Sequence, residues 1–242
     1  MRAATRSALC FSAAAVAAAI VVAPPLDAAA DRSFAWHMIQ HLLILDVVAL
    51  LIVAANPFPP FVRYCPKAKV VRLLAGIRPF HAAGAPWIVL PAFVATLWVA
   101  HFSPLYEAAL ERPWIHAAEH LALLAVGIGF WLPVLAPAPL RPLTHAARMF
   151  YLIVALPQGA LLGMVLVAAR SPLYAHYARI AGTGAALADQ RAAGAVMWMG
   201  GGLVVLAALL CTLGAWARRE SYGDREEKAK RLNEAATIPA GG

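Results

Sequence analysis

Two pairs of histidines have a spacing that could bring imidazole rings together. His37 and His41 are four residues apart, as are His116 and His120, so the two members of each pair would share one helix face about one turn apart. Imidazole is a good ligand for copper, zinc and haem iron. With His101 nearby, the pairs predict a metal site of five histidines. The alternative is that these side chains only hydrogen-bond between helices.

Three carboxylates could assist these histidines as orienting groups or proton relays. Asp46 falls about 18 Å into an apolar segment at 1.5 Å per residue, where a carboxyl group must be protonated, paired or coordinated. Because Asp46 is about 140° from His41 on a helix, packing or proton relay is at least as good an interpretation as ligation. Glu119 and Asp189 could ligate a metal, orient an imidazole or favour a helix start.

Sulfur ligands are a weaker signal in the sequence than the histidines, and common enzyme motifs are absent from it. Met38, Met197 and Met199 could offer thioethers to Cu(I), although ordinary packing is the favoured interpretation. The three cysteines are widely separated and form no CxxC pair, so neither a disulfide framework nor a thiolate site is predicted. The sequence contains no GxSxG, phosphate loop, HExxH or GxGxxG. We therefore do not predict an enzyme.

The elements that position these residues must be membrane helices. Of the 242 residues, 62% are hydrophobic and 13% are charged, and the mean hydropathy is +0.71, whereas soluble domains have about 25% charged residues. Five apolar segments of about 20 residues or slightly more could each cross a hydrocarbon core of about 30 Å. They cover approximately residues 34–55, 80–101, 115–137, 148–170 and 192–217. The predicted fold is an all-α, polytopic transmembrane helical bundle in a lipid bilayer.

Residues 1–30 form a separate predicted region. Arg2 and Arg6 precede an apolar run that ends in small residues at Ala28 to Ala30, which is the pattern of a secretory signal peptide. An uncleaved first transmembrane helix is the alternative and would be a sixth span. Residues 31–217 then form the transmembrane domain, and residues 218–242 form a charged tail.

The distribution of basic residues predicts the orientation in the membrane. Fifteen of the 20 Lys and Arg residues fall on one side if the tail is inside, which the positive-inside rule assigns to the cytoplasm. The formal charge of +8 is then an orientation signal, and no nucleic-acid partner is predicted. Six of the eight histidines come to the outer face, and only His81 and His145 lie inside.

Four stretches of the sequence together resemble one known family. They are His37 to Leu43 (HMIQHLL), His101 to Leu110 (HFSPLYEAAL), His116 to Trp131, and Asp189-Gln190 with Ala193-Gly194 and Met197-Trp198. These stretches resemble the CtaG-like cytochrome c oxidase assembly factors of the bacterial plasma membrane, which are associated with caa-type oxidases. The resemblance runs in order from about residue 34 to residue 205.

This resemblance implies a multi-pass, non-enzymatic protein that helps copper reach the catalytic subunit of a haem–copper oxidase. It carries a metal role onto the five histidines, His37, His41, His101, His116 and His120, and marks Asp189 as a typical polar position. Two alternatives remain open from the residues alone. One is a membrane haem protein with His41 and His120 as axial ligands, and the other is a small-solute or proton transporter that uses Asp46.

Overall fold

The described part of the chain consists of helices, as predicted. A computed structural model describes residues 3–56, 85–135 and 143–237; His81 lies outside them. No strand occurs in these three ranges. The helices are α1 (Ala3–Val21), α2 (Pro24–Ala30), α3 (Phe34–Leu42), α4 (Ala49–Ala55), α5 (Ala85–Phe102), α6 (Pro104–Glu111), α7 (Pro113–Leu135), α8 (His145–Ala168), α9 (Ala175–Ala181), α10 (Thr183–Val196) and α11 (Gly202–Thr237).

Four helices within the described ranges are long and apolar enough to cross a membrane. They are Phe34–Ala55, Pro113–Leu135, His145–Ala168 and Thr183–Lys228. Two helix pairs pass the same test together but are bent, α1 with α2 by 51° and α5 with α6 by 66°. The polytopic all-α prediction is thus confirmed, with four to six spans. The start of the predicted 80–101 segment lies outside the described residues, and α5 supplies the rest.

Two of the spans are widened by a short π-helical segment. The first, Leu43–Val48, joins α3 to α4, and the second, Met197–Gly201, joins α10 to α11. A π-helical turn interrupts the regular ladder of backbone hydrogen bonds and is often found at functional sites. In the first segment, the indole Nε1–H of Trp131 donates to the carbonyl oxygen of Leu45 at 3.1 Å. This bond fastens α7 to the first π-helical segment.

Helix α7 approaches the backbone of this segment closely because residue 127 is glycine. A Cβ atom at Gly127 would lie 2.9 Å from both the Leu45 carbonyl oxygen and the Ala49 Cβ atom, and no side chain fits there without a shift of the backbone. Small residues allow this kind of contact between membrane helices. The contact holds α7 against the first π-helical segment and α4.

A second close helix contact joins α8 to α10. A Cβ atom at Gly194 would lie 2.6 Å from the carbonyl oxygen of Gly163, so the two backbones touch. Gly163 belongs to the GxxxG formed with Gly159, and the motif therefore supports packing within the chain. Gln190, one turn before Gly194, strengthens the contact by donating from Nε2 to the Leu166 carbonyl oxygen at 3.1 Å.

The N-terminal helices lie against this bundle. The Gln40 side chain donates from Nε2 to the Val21 carbonyl oxygen at 2.8 Å and to Asp27 Oδ1 at 3.2 Å, and Ser7 donates to the Ala55 carbonyl oxygen. The assignment of residues 1–30 as a signal peptide or first transmembrane helix stays a prediction. The predicted tail begins inside α11, which continues as one helix to Thr237.

Candidate metal centre

Two helices bring four of the predicted histidines together. His37 and His41 come from α3, His116 and His120 come from α7, and one ligand nitrogen from each lies within 4.8 Å of the other three. Nitrogens around a tetrahedral ion with bonds of about 2.0 Å are about 3.3 Å apart. We call these residues the four-histidine cluster. Its nitrogens could surround a single ion after modest side-chain shifts.

The cluster contains polar atoms that have no hydrogen-bond partner among the described residues. His37 and His41 are only 1% and 2% exposed, and His116 and His120 are partly buried. The Nδ1 atom of His41 and the Nε2 atoms of His116 and His120 are buried without a hydrogen bond. Buried polar atoms are rarely left unpaired because the loss of hydration costs about 1 to 3 kcal/mol each. A bound cation would satisfy these nitrogens.

Glu119 lies at the edge of the cluster. Its Oε2 atom is 3.8 Å from the Nε2 atom of His41 and is buried without a hydrogen bond. The same residue lines an apolar cavity of about 380 Å³ between α5 and α7. Of the three carboxylates identified in the sequence, Glu119 is the one in contact with a cluster histidine. An anionic oxygen here could bind the ion or offset part of its charge.

A tyrosine fixes the orientation of His37. The Tyr177 hydroxyl donates to the Ala30 carbonyl oxygen at 3.1 Å, so its oxygen accepts from the Nδ1–H of His37, which is 3.2 Å away. Burial raises the pKa of Tyr177 above its ordinary value, which keeps the phenol protonated. The Nε2 lone pair of His37 then faces the cluster, where it lies 2.8 Å from the Nε2 atom of His41.

Tyr106 completes this hydrogen-bond chain. Its hydroxyl lies 3.4 Å from that of Tyr177 and donates to it, since the Tyr177 proton is engaged by Ala30. Both tyrosines are buried. Neither tyrosine was predicted from the sequence, although Tyr106 lies in the HFSPLYEAAL stretch five residues after His101. Buried partners that orient a ligand imidazole are typical of metal sites.

His101, the fifth predicted histidine, lies beside the cluster. Its ring centroid is 5.9 Å from that of His41, and its side chain is engaged elsewhere. The Nδ1–H donates to the Leu97 carbonyl oxygen at 2.7 Å, while Nε2 lies 3.2 Å from the sulfur of Met38. The structure therefore brings four of the five histidines into one group and pairs the fifth with a thioether.

Asp189 caps the helix that carries His37 and His41. It accepts hydrogen bonds from the Ser33 hydroxyl at 2.8 Å and from the Phe34 backbone N–H at 2.5 Å. A carboxylate at a helix N-terminus satisfies free N–H groups and interacts favourably with the helix dipole. The sequence had suggested a helix-start role for this residue on its own helix, but Asp189 acts on α3. It thereby helps to set the position of the first histidine pair.

Asp46 and the remaining methionines lie outside the four-histidine cluster. Asp46 is buried in the first π-helical segment and faces the second, where a Cβ atom at Gly201 would be 3.5 Å from its Oδ2 atom. Met197 is buried in the core, and Met199 is 61% exposed. The packing interpretation suits both methionines. A relay role for Asp46 stays a prediction.

Comparison with known proteins identifies one family and several distant relatives. The sequence model of the family described as cytochrome c oxidase caa3 assembly factor matches residues 2–219. An uncharacterized protein of Mycobacterium leprae is 24% identical over an alignment of 206 positions that covers 77% of this chain and 30% of that protein. An uncharacterized protein of Mycobacterium tuberculosis is 23% identical over an alignment of 210 positions that covers 81% of this chain and 32% of that protein.

The chain spans about a third of the length of these curated relatives. No solved structure matches it.

Proposed function

The chain belongs to the cytochrome c oxidase caa3 assembly factor family, and from this premise we propose that it helps to deliver copper to the catalytic subunit of a haem–copper oxidase. In this proposal the chain is a metallochaperone without catalytic activity. It acts in the bacterial plasma membrane, with the four-histidine cluster toward the outer face and the C-terminus in the cytoplasm. The basic-residue distribution supports that orientation.

The observation that carries the proposal is the four-histidine cluster with its unpartnered buried nitrogens. Imidazole is a suitable ligand for copper, and among divalent first-row ions copper binds most tightly to a given set of nitrogen ligands. The two pairs come from helices about 80 positions apart in sequence. An intramembrane group of ionisable side chains is costly and usually serves a function.

The composition of the cluster suits a carrier that must release its ion. Neutral imidazoles add no charge of their own. The charge of a bound cation is therefore only partly compensated in a poorly hydrated site. Glu119 is the carboxylate in contact with the cluster, and it also lines the apolar cavity between α5 and α7. An ion held here can exchange ligands with a partner that approaches along that cavity.

An ion fits this geometry better than a haem does. A haem with two axial histidines needs a flat slot as wide as the macrocycle between its ligands. Here the rings of His41 and His120 are 5.4 Å apart between centroids, and those of His37 and His116 are 5.1 Å apart. The rings of His37 and His116 would occupy the space that a macrocycle between His41 and His120 requires.

Metal analysis of the purified full chain tests the proposal. We expect roughly one copper ion per chain bound by imidazole, lost in the double variant His41→Ala, His120→Ala. His145→Ala is the matched control, because His145 begins α8 and is outside the four-histidine cluster; it should retain the ion. An absorption spectrum with a Soret band would instead identify a haem protein.

Activity of the oxidase in cells gives the second measurement. Cells whose only copy of this protein carries the double variant should assemble an oxidase deficient in copper, and added copper should partly restore its activity. Cells with His145→Ala should resemble the wild type. Normal oxidase activity and normal oxidase copper with the double variant would refute delivery by this cluster.

A further inference from the structure

We propose that Met38 and His101 form a second, softer metal site that holds Cu(I) beside the four-histidine cluster. The proposal rests on the proposed function in one respect, because the second site would bind the ion before or after the four-histidine cluster binds it. It concerns different ligand atoms, one thioether sulfur and one imidazole nitrogen, and it can fail or succeed independently.

The hydrogen bond to Leu97 determines which nitrogen of His101 can bind a metal. A carbonyl oxygen can only accept, so the 2.7 Å contact means that Nδ1 carries the proton. In the neutral ring, Nε2 therefore has a free lone pair. That lone pair points toward the Met38 sulfur, 3.2 Å away. Metal-ligating histidines commonly donate their second N–H to a backbone carbonyl in this way.

Two electron-pair donors thus face each other without a proton between them. Met38 is 0% exposed and His101 is 1% exposed, so water does not separate the two atoms. The Met38 sulfur contacts the Nε2 atom itself, at 3.2 Å. Thioether and imidazole are ligands that bind Cu(I) well.

The distance between the two atoms is close to what a shared ion requires. With bonds of about 2.0 Å to nitrogen and 2.3 Å to sulfur, ligands at a tetrahedral angle are about 3.5 Å apart. The observed 3.2 Å would therefore widen by a few tenths of an ångström. The unbranched methionine side chain has three rotatable bonds and can make that adjustment.

A cavity on the side of the loops that follow α5 and α8 has His101 in its lining. Its volume is about 570 Å³, and its lining includes His101, Glu107, Glu111, Tyr174 and Arg179. Arg179 is 3.7 Å from Glu107 and 3.4 Å from Glu111, so two carboxylates share one guanidinium. The remaining negative charge favours the approach of a cation.

The second site lies next to the four-histidine cluster, so an ion can pass between them by exchanging ligands. Met38 directly follows His37 in α3, and the ring of His41 is 5.9 Å from that of His101. An ion can move by breaking its bonds to the Met38 sulfur and His101 Nε2 while it forms bonds to the imidazoles of the cluster. No electron is transferred in this step, because imidazole also binds copper in the reduced state.

X-ray absorption of the full chain loaded anaerobically with Cu(I) tests the second site. We expect a sulfur neighbour at about 2.3 Å that disappears in Met38→Leu, which keeps the side-chain volume. Met164→Leu is the control, because Met164 is 50% exposed in α8. A second variant, His101→Asn, keeps a donor for Leu97 but lacks the Nε2 ligand. Both site variants should lower Cu(I) affinity at least about tenfold in competition with a chelator.

The outcomes separate this proposal from the proposed function. A copper environment of nitrogen alone in the wild type, or unchanged Cu(I) affinity in both Met38→Leu and His101→Asn, overturns the second site and leaves the cluster intact. Sulfur-bound Cu(I) that persists in the His41→Ala, His120→Ala variant supports the second site. If oxidase activity is also normal in that double variant, the delivery role of the cluster fails while the second site stands.

Discussion

His37 and Tyr177 are joined by a hydrogen bond of 3.2 Å from imidazole Nδ1 to the phenol oxygen. Because Tyr177 donates its own proton to Ala30, it can only accept from His37. The bond therefore keeps the proton of His37 on Nδ1 and leaves an unprotonated Nε2 that can bind a metal. A residue in the short helix α9 thereby controls the ligand state of a histidine in α3.

Removal of the Tyr177 hydroxyl should weaken metal binding without removing a ligand. We expect Tyr177→Phe to lower copper affinity about 10- to 100-fold, the usual effect of losing a group that orients a ligand imidazole. Competition with a chromophoric chelator measures the affinity. Tyr222→Phe, at an exposed position of α11, is the control. Equal affinity in the two variants would mean that His37 is oriented without Tyr177.

Neutralisation of Glu119 should reduce the affinity for Cu(II) more than the affinity for Cu(I). The Oε2 atom lies 3.8 Å from the His41 Nε2 atom, and the attraction between a carboxylate and an ion scales with the charge of the ion. Glu119→Gln keeps the shape of the side chain and removes that attraction. Titration with each ion provides the measurement, and Glu220→Gln at an exposed position of α11 is the control. An equal loss for both ions would argue against a charge effect.

The cap formed by Asp189 should contribute to the stability of the protein. We expect Asp189→Ala to lower the free energy of unfolding by about 0.5 to 2 kcal/mol, the range for loss of a helix cap, and Asp189→Asn to restore much of it. Unfolding of the chain in detergent by denaturant measures this difference. A loss in the alanine variant that asparagine does not rescue would indicate that the negative charge at the α3 dipole matters more than the hydrogen bonds.

The contact at Gly127 should control the distance between the two histidine pairs. In Gly127→Ala the new Cβ atom would lie 2.9 Å from the Leu45 carbonyl oxygen, so α7 must move away from α4, at a cost of about 1 to 3 kcal/mol. We expect lower thermal stability and weaker copper binding. Gly129→Ala is the matched control, because its Cβ atom would meet Val89 at an ordinary 3.5 Å. Identical copper binding in both variants would show that the cluster tolerates this displacement.

The local features of this protein follow from its sequence. Apolar segments of sufficient length predicted the membrane helices, and the four-residue spacing placed His37 with His41 and His116 with His120. Both results depend on short-range helix geometry, which the residues of one segment largely specify. The resemblance of four short stretches to one family supplied the expected function, and the family match over residues 2–219 confirmed the family.

The way these local features combine depends on contacts between helices that are distant in sequence. The meeting of the two histidine pairs depends on the close approach of α7 at Gly127, and the pairing of His101 with Met38 joins α5 to α3. Asp189 caps a helix about 155 residues earlier in the chain, and Tyr177 orients a histidine 140 residues away. Such contacts arise between elements distant in sequence, and no residue spacing within one helix encodes them because side-chain packing between helices selects them.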